Sequence, residues 1–283
     1  MKRSLYSFLI GVIFVSCTSQ QKLELNKPES IAVYGDFMYV SNVNGDPGAK
    51  DGNGYISKLN SKGQVQENKF ITGLDAPKGM VIVNDILYVT DIDRVVGFHL
   101  PASKKVFECD IVNKAKFLND ICYDGNEHLY VSSTDINEIF EINIKNKSLR
   151  TLGLQNKLNG PNGVVFHNGV LYVCESPRSD TALGTLKSVE FTNDSIVVTD
   201  IMNYKGYLDG LSVYDGKFYL SDWVSHKEDG KSQLLVFDPD TKQVTPIKTS
   251  ENMTGCADFY IDEKNKTIIA PLMMQNKILF VSL

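Results

Sequence analysis

Short apolar runs alternate with polar turns along the whole chain. Six segments share one pattern, a strand-like run, a polar turn and a second run ending in a small or acidic residue. They are "KPESIAVYGDFMYVSN" from Lys27, "APKGMVIVNDILYVTD" from Ala76 and "KFLNDICYDGNEHLYVSST" from Lys116. "GPNGVVFHNGVLYVCES" from Gly160, "YLDGLSVYDGKFYLSDW" from Tyr207 and the more divergent "GCADFYIDEKNKTIIAP" from Gly255 follow. Period-two alternation predicts strands, and the intervening Gly, Asn and Asp predict tight turns. No stretch of helical period interrupts them.

One equivalent position falls at Glu29, Lys78, Asn119, Asn162 and Asp209, at successive spacings of 49, 41, 43 and 47 residues. That length holds four short strands, one blade of a β-propeller. The pattern therefore predicts an all-β, six-bladed β-propeller over residues 21–283. The last unit has chain for only three strands, so "QKLELNK", residues 21–27, is expected to pair into the last blade and close the ring.

Composition narrows the class. The 283 residues are 42% hydrophobic and 22% charged, enough for a large core. A formal charge of −5, with no basic stripe, argues against a nucleic-acid partner. The N-terminus places Lys2 and Arg3 before an apolar run from Leu5 to Val15, the form of a secretory signal over residues 1–16. The "FVSC" that ends this stretch resembles a bacterial lipobox. The resemblance implies lipidation of Cys17, residues 17–20 as a linker, and a monomer anchored at the cell envelope, facing the periplasm or on the outer membrane. Cys109, Cys122, Cys174 and Cys256 form no CxxC pair and are read as buried free thiols.

The equivalent position opens the innermost strand of each blade, so its side chain should face the central channel. Glu29, Asn119, Asn162 and Asp209 offer oxygen there, the donor set of a hard cation such as Ca²⁺. A merely wet channel would also hold such residues.

The motifs "ES" at Glu29, "ND" at Asn119, "PNG" at Pro161 and "DG" at Asp209 resemble those of the regucalcin and gluconolactonase family, over nearly the whole chain after residue 26. In that family the matching residues gather around one divalent metal. The resemblance implies a calcium-dependent hydrolase of a lactone or related cyclic ester. Glu29 and Asn162 would anchor the ion, Asn119 would bridge ion and substrate, and Asp209 would orient or deprotonate water. Asp120 would orient the Asn119 amide.

Two positions depart from the family. Phe117 stands where an Arg contacts the sugar acid, and Lys78 enters the ligand ring, where it could pair with Asp258 or bind an anionic substrate group. Both are expected to shape specificity. The other class of function left open is a non-catalytic envelope propeller that binds a glycan or protein partner around a structural ion.

Overall fold

The computed structural model describes residues 24–283 apart from 112–113, 180 and 226–229. The expected signal segment, the expected linker and Cys17 lie outside the described residues. Among the described residues there are two short 3₁₀ turns and no α-helix, and no helix is long and apolar enough to cross a membrane.

Six small antiparallel sheets follow one another in chain order, making a six-bladed β-propeller. The innermost strands of the first five blades are Pro28–Tyr34, Pro77–Val83, Leu118–Tyr123, Pro161–His167 and Leu208–Tyr214. Each pairs with a second strand, Phe37–Asn42, Ile86–Asp91, His128–Ser133, Val170–Glu175 and Lys217–Asp222 respectively. The sixth sheet contains Tyr260–Asp262, Thr267–Leu272 and Lys277–Ser282.

Among the described residues a hydrophobic cluster lies between each pair of neighbouring blades, with a smaller one of Val43, Ala76 and Ile92 added between the first and second. Leu129 and Phe140 of the third blade meet Val95 and Phe107 of the second, and Phe218 and Phe237 of the fifth meet Leu186 of the fourth. The sixth cluster brings Ile31, Met38, Val40 and Leu59 of the first blade against Ile269 of the last, so the ring is closed by apolar burial.

Of the expected closing segment, residues 24–27 reach this junction but form no strand. Leu25 is buried among the same residues, and the Lys27 backbone N–H donates to Asn276 Oδ1 at 2.8 Å. Residues 21–23 lie outside the described residues.

A local irregularity positions the channel-facing side chains. In all five blades the ladder between first and second strands shifts register over two residues, Glu29–Ser30, Lys78–Gly79, Asn119–Asp120, Asn162–Gly163 and Asp209–Gly210. Two residues then oppose one, a β-bulge that bends the strand and turns its side chain. Opposite the bulges stand Ser41, Thr90, Ser132, Cys174 and Ser221, each small and able to hydrogen-bond. Ser41, Ser132 and Ser221 take the N–H that the bulge strips from the ladder, on Ser30, Asp120 and Gly210. Thr90 and Cys174 instead donate across the blade junction, to the Asn119 and Asp209 carbonyls.

The residue after each of these often secures the incoming loop. Asp91 accepts the Asp75 and Ala76 N–H groups, Glu175 that of Asn159 and Asp222 that of Tyr207. The small residue near the end of a second run thus takes up groups beside the bulge, and the acidic residue after it, at Asp91, Glu175 and Asp222, holds the incoming loop.

Candidate functional site

The bulges bring Glu29, Lys78, Asn119, Asn162 and Asp209 to the lining of one cavity of about 300 Å³. All five are buried, Lys78 to 2% exposure. Phe117, directly before the third bulge strand, lines it too. The sixth blade completes the ring with Ala257 beside Asp258, so the divergent repeat contributes no ligating atom at the equivalent place.

The second residue of each bulge controls how closely blades approach. A Cβ on Gly79 would lie 2.6 Å from the Asp120 Cα, and one on Gly210 would lie 2.9 Å from the Asp258 Cα. Where this residue is not glycine, its side chain bridges the blades. Asp120 Oδ2 accepts the Val164 N–H at 2.7 Å, and Asp258 Oδ2 accepts the Ser30 hydroxyl at 2.6 Å.

These bonds correct two expectations. The Asp120 carboxylate is occupied by the Val164 and Ile121 N–H groups, so it joins blades instead of orienting the Asn119 amide. That task falls to Thr134, whose Oγ1 accepts from Asn119 Nδ2 at 3.2 Å and donates to the Pro161 carbonyl. Nor does Lys78 pair with Asp258, whose oxygens are taken by Ser30 and the Phe259 N–H. The ammonium instead donates to the Pro47 and Ala76 carbonyls, at 3.0 and 3.3 Å, and faces the Phe117 ring at 4.3 Å from its centroid.

Among the described residues three buried side-chain atoms have no hydrogen-bond partner, Glu29 Oε2, Asn162 Oδ1 and Trp223 Nε1, and all three residues line this cavity. An unpaired buried polar atom costs about 1–3 kcal/mol, so three in one cavity mark a place for a ligand. Trp223, Arg178, Ser176, Thr134, Met273 and Pro47 complete the lining.

The electrostatics follow from crowding carboxylates in a buried ring. Burial first, then the charges of Asp209 and Asp258, raise the Glu29 pKa well above the usual carboxylate range. Burial and Asp258 push Asp209 up to about 7. Asn162 and the Trp223 indole beside it restrain that rise, although neither Asn162 Oδ1 nor Trp223 Nε1 makes a well-formed bond. Burial pushes Asp258 up to about 6 against its Ser30 and Phe259 bonds. Burial lowers Lys78 to about 8, with Glu29 acting the other way.

A pH dependence follows. Asp209 and Asp258 ionise near pH 4 in the unfolded chain and only near 7 and 6 when folded, so their contribution to stability is present below pH 4 and lost as pH rises to about 7. Chelator-treated protein should therefore melt several degrees lower at pH 7.5 than at pH 5, read by circular dichroism. Saturating calcium should flatten that difference; an unchanged melting temperature between the two pH values without calcium would contradict the assignment.

The donor set can be tested against a cation on these observations. No three His, Cys, Asp or Glu side chains form a ligand cluster among the described residues. The candidate set is mixed, two carboxylates and two amides. Two of its oxygens are orphaned acceptors, and the Asn119 amide oxygen accepts no hydrogen bond. Two carboxylates balance a divalent charge, and oxygen donors of this kind suit Ca²⁺. The residues fit such an ion, with the Lys78 ammonium and the Arg178 guanidinium as competing charges in the same cavity lining.

The thiols Cys109, Cys122, Cys174 and Cys256 are free and buried.

No protein-family model matches the sequence, and no curated protein does. Solved structures do resemble it. A protein of unknown function from Bacteroides thetaiotaomicron superposes with a TM-score of 0.68 at 11% identity, over 92% of this chain and 70% of that one. A streptogramin B lyase gives 0.63 at 16% identity, over 92% and 96%. Virginiamycin B lyase from Staphylococcus aureus gives 0.61 at 15% identity, over 93% and 96%. Likeness at these identities extends to the architecture, and the chain shares the six-bladed β-propeller fold.

Proposed function

We propose that this protein is a divalent-cation-dependent hydrolase of a lactone or related cyclic ester, with Ca²⁺ as the cation. The observation that carries the reading is the pair of buried, donorless oxygens, Glu29 Oε2 and Asn162 Oδ1, lining the same cavity as Asp209. The motif resemblance to gluconolactonase-like proteins supports it at all four oxygen-bearing positions.

Glu29 and Asn162 hold the ion, with Asp209 and the Asn119 amide oxygen completing the protein's share of the shell. When bound, the ion polarises the ester carbonyl and stabilises negative charge on its oxygen. Asp209, pushed up to about 7, is tuned to accept a proton from water at neutral pH. The water oxygen bonds to the carbonyl carbon, the ring C–O bond breaks, and the proton passes from Asp209 to the leaving alkoxide, giving a hydroxy acid. Asp209 can act as base only while loosely held by the ion.

Lipidation at Cys17 would place the propeller at the cell envelope as a monomer.

A lyase reading has less support. A virginiamycin B lyase with one histidine replaced by alanine is catalytically inactive. Here His99, His128 and His167 are absent from the cavity lining, and His226 lies outside the described residues.

The test is a pH-stat assay of the chain from residue 18 over sugar and aliphatic lactones. Acid release with calcium that stops with chelator is the expected result. Calcium binding with no turnover on any lactone would favour the non-catalytic binding propeller with a structural ion.

A further inference from the structure

Arg178 was not singled out by the repeats, yet it lines the cavity beside Phe117. It lies three residues beyond Val170–Glu175, in irregular chain on the channel side of the fourth blade. Its guanidinium carbon sits 4.6 Å from the Phe117 ring centroid, and the Lys78 ammonium sits 4.3 Å from the same centroid. One benzene ring thus carries two cations, close enough that the Arg178 charge helps to lower the Lys78 pKa.

Neither cation forms a direct ion pair among the described residues, although Glu29 attracts the Lys78 ammonium. The other described arginines do, since Arg94 pairs with Asp91 at 2.7 Å and Arg150 with Glu141 at 2.6 Å. In a chain with 34 acidic residues, an arginine held on an aromatic face without a carboxylate is the exception. The contact with the ring contributes roughly 0.5–1 kcal/mol per cation and does not remove the repulsion between the buried Lys78 ammonium and the solvent-exposed Arg178 guanidinium. An anion reaching both would relieve it. The Trp223 indole lines the same cavity from the Asp209 side.

We propose that Lys78 and Arg178 form an anion subsite that receives a carboxylate carried by the substrate, with Phe117 as the platform that aligns the two cations. This deepens the hydrolase reading and rests on it, because it assigns the substrate class as carboxylate-bearing lactones.

A carboxylate fits better than a phosphate dianion. Each cation carries one charge, Lys78 already spends two bonds on backbone carbonyls, and Glu29 and Asp209 line the same cavity and repel a second negative charge. The guanidinium fork matches the two carboxylate oxygens in one plane. At about 300 Å³ the cavity stands at the small end of ligand sites, suited to a monocyclic compound. Because the chain as a whole is acidic, selection for an anion must come from this local pair. Phe117 in place of a family arginine is then a relocation of the positive charge: the ring supports Arg178 from the fourth blade.

Trp223 is the only tryptophan, so intrinsic fluorescence reports on this cavity directly. The probes are 5-oxotetrahydrofuran-2-carboxylate and its uncharged carboxamide, titrated in calcium against the chain from residue 18 and against Arg178→Gln and Arg178→Lys. The carboxylate should bind about tenfold more tightly than the amide, a difference that one charge-assisted contact supplies. Arg178→Gln should remove most of that preference and Arg178→Lys should keep part of it. Equal affinities in the parent chain, a preference that survives Arg178→Gln, or no fluorescence change with the carboxylate would each overturn the subsite. Turnover by pH-stat is read separately. Preferred binding of the carboxylate without ring opening would remove the hydrolase reading and leave the subsite standing, whereas hydrolysis of neutral and anionic lactones alike would do the reverse.

Discussion

Asp209→Asn should remove lactone hydrolysis by about 10²–10⁴-fold in kcat while making the cation-free protein more stable at pH 8. The loss is the range expected when a positioned base is deleted, and Asn has the shape of Asp without its charge or basicity. The gain comes from the same burial that makes Asp209 useful. Its carboxyl is pushed up to about 7 by desolvation and by Asp258, so at pH 8 the folded chain holds a charge that its surroundings oppose. A neutral isostere relieves that opposition. With calcium the order should reverse, because the parent gains binding free energy that the variant has partly lost. Rate and melting temperature, measured with calcium and with chelator, therefore give a crossed pattern. A variant less stable than the parent in both conditions would mean that Asp209 is a packing residue.

Most of this site was legible because it is repeated. Glu29, Lys78, Asn119, Asn162 and Asp209 stand at one place in five units, and the repeat carries the bulge that turns each of them inward. The partner of the bulge was legible too, since Ser41, Thr90, Ser132, Cys174 and Ser221 recur before the last residue of each second run. What had no counterpart in other repeats was hidden. Arg178 and Thr134 reach the cavity from irregular chain after second strands, where spacing carries no information about direction. The role of Asp120 was misread for a related reason. Adjacency to Asn119 suggested contact, but successive residues of a strand point apart, and its carboxylate met the next blade at Val164. Lys78 was placed in the channel correctly, yet its partners are carbonyls of the Pro47 loop and of Ala76, and sequence offers no rule for such a pairing.

Gly163→Ala should destabilise the protein by about 3 kcal/mol or more, a fall in melting temperature of roughly 10 °C, and should weaken calcium binding although it alters no ligand. Its backbone is not in the left-handed region, so an alanine meets no conformational obstacle. The obstacle is space. The added Cβ would stand 2.2 Å from the Asp209 carbonyl oxygen, 2.9 Å from the Cys174 sulfur and 2.9 Å from the Leu211 nitrogen. Two of these are backbone atoms of the fifth blade, which cannot swing aside as a side chain can. The fourth and fifth blades must separate where Asn162 and Asp209 face the cavity, and the ligand ring opens with them. Gly169 is the informative control. It lies in the turn of the same blade with φ of +82° and nothing within 4 Å of a would-be Cβ, so Gly169→Ala should cost only about 1 kcal/mol, through backbone strain. A large penalty at 163 with a small one at 169 would tie the glycine after the ligand to blade contact. Equal, small penalties would show that the blades do not approach closely there, and the account of how this ring is held together would fail with them.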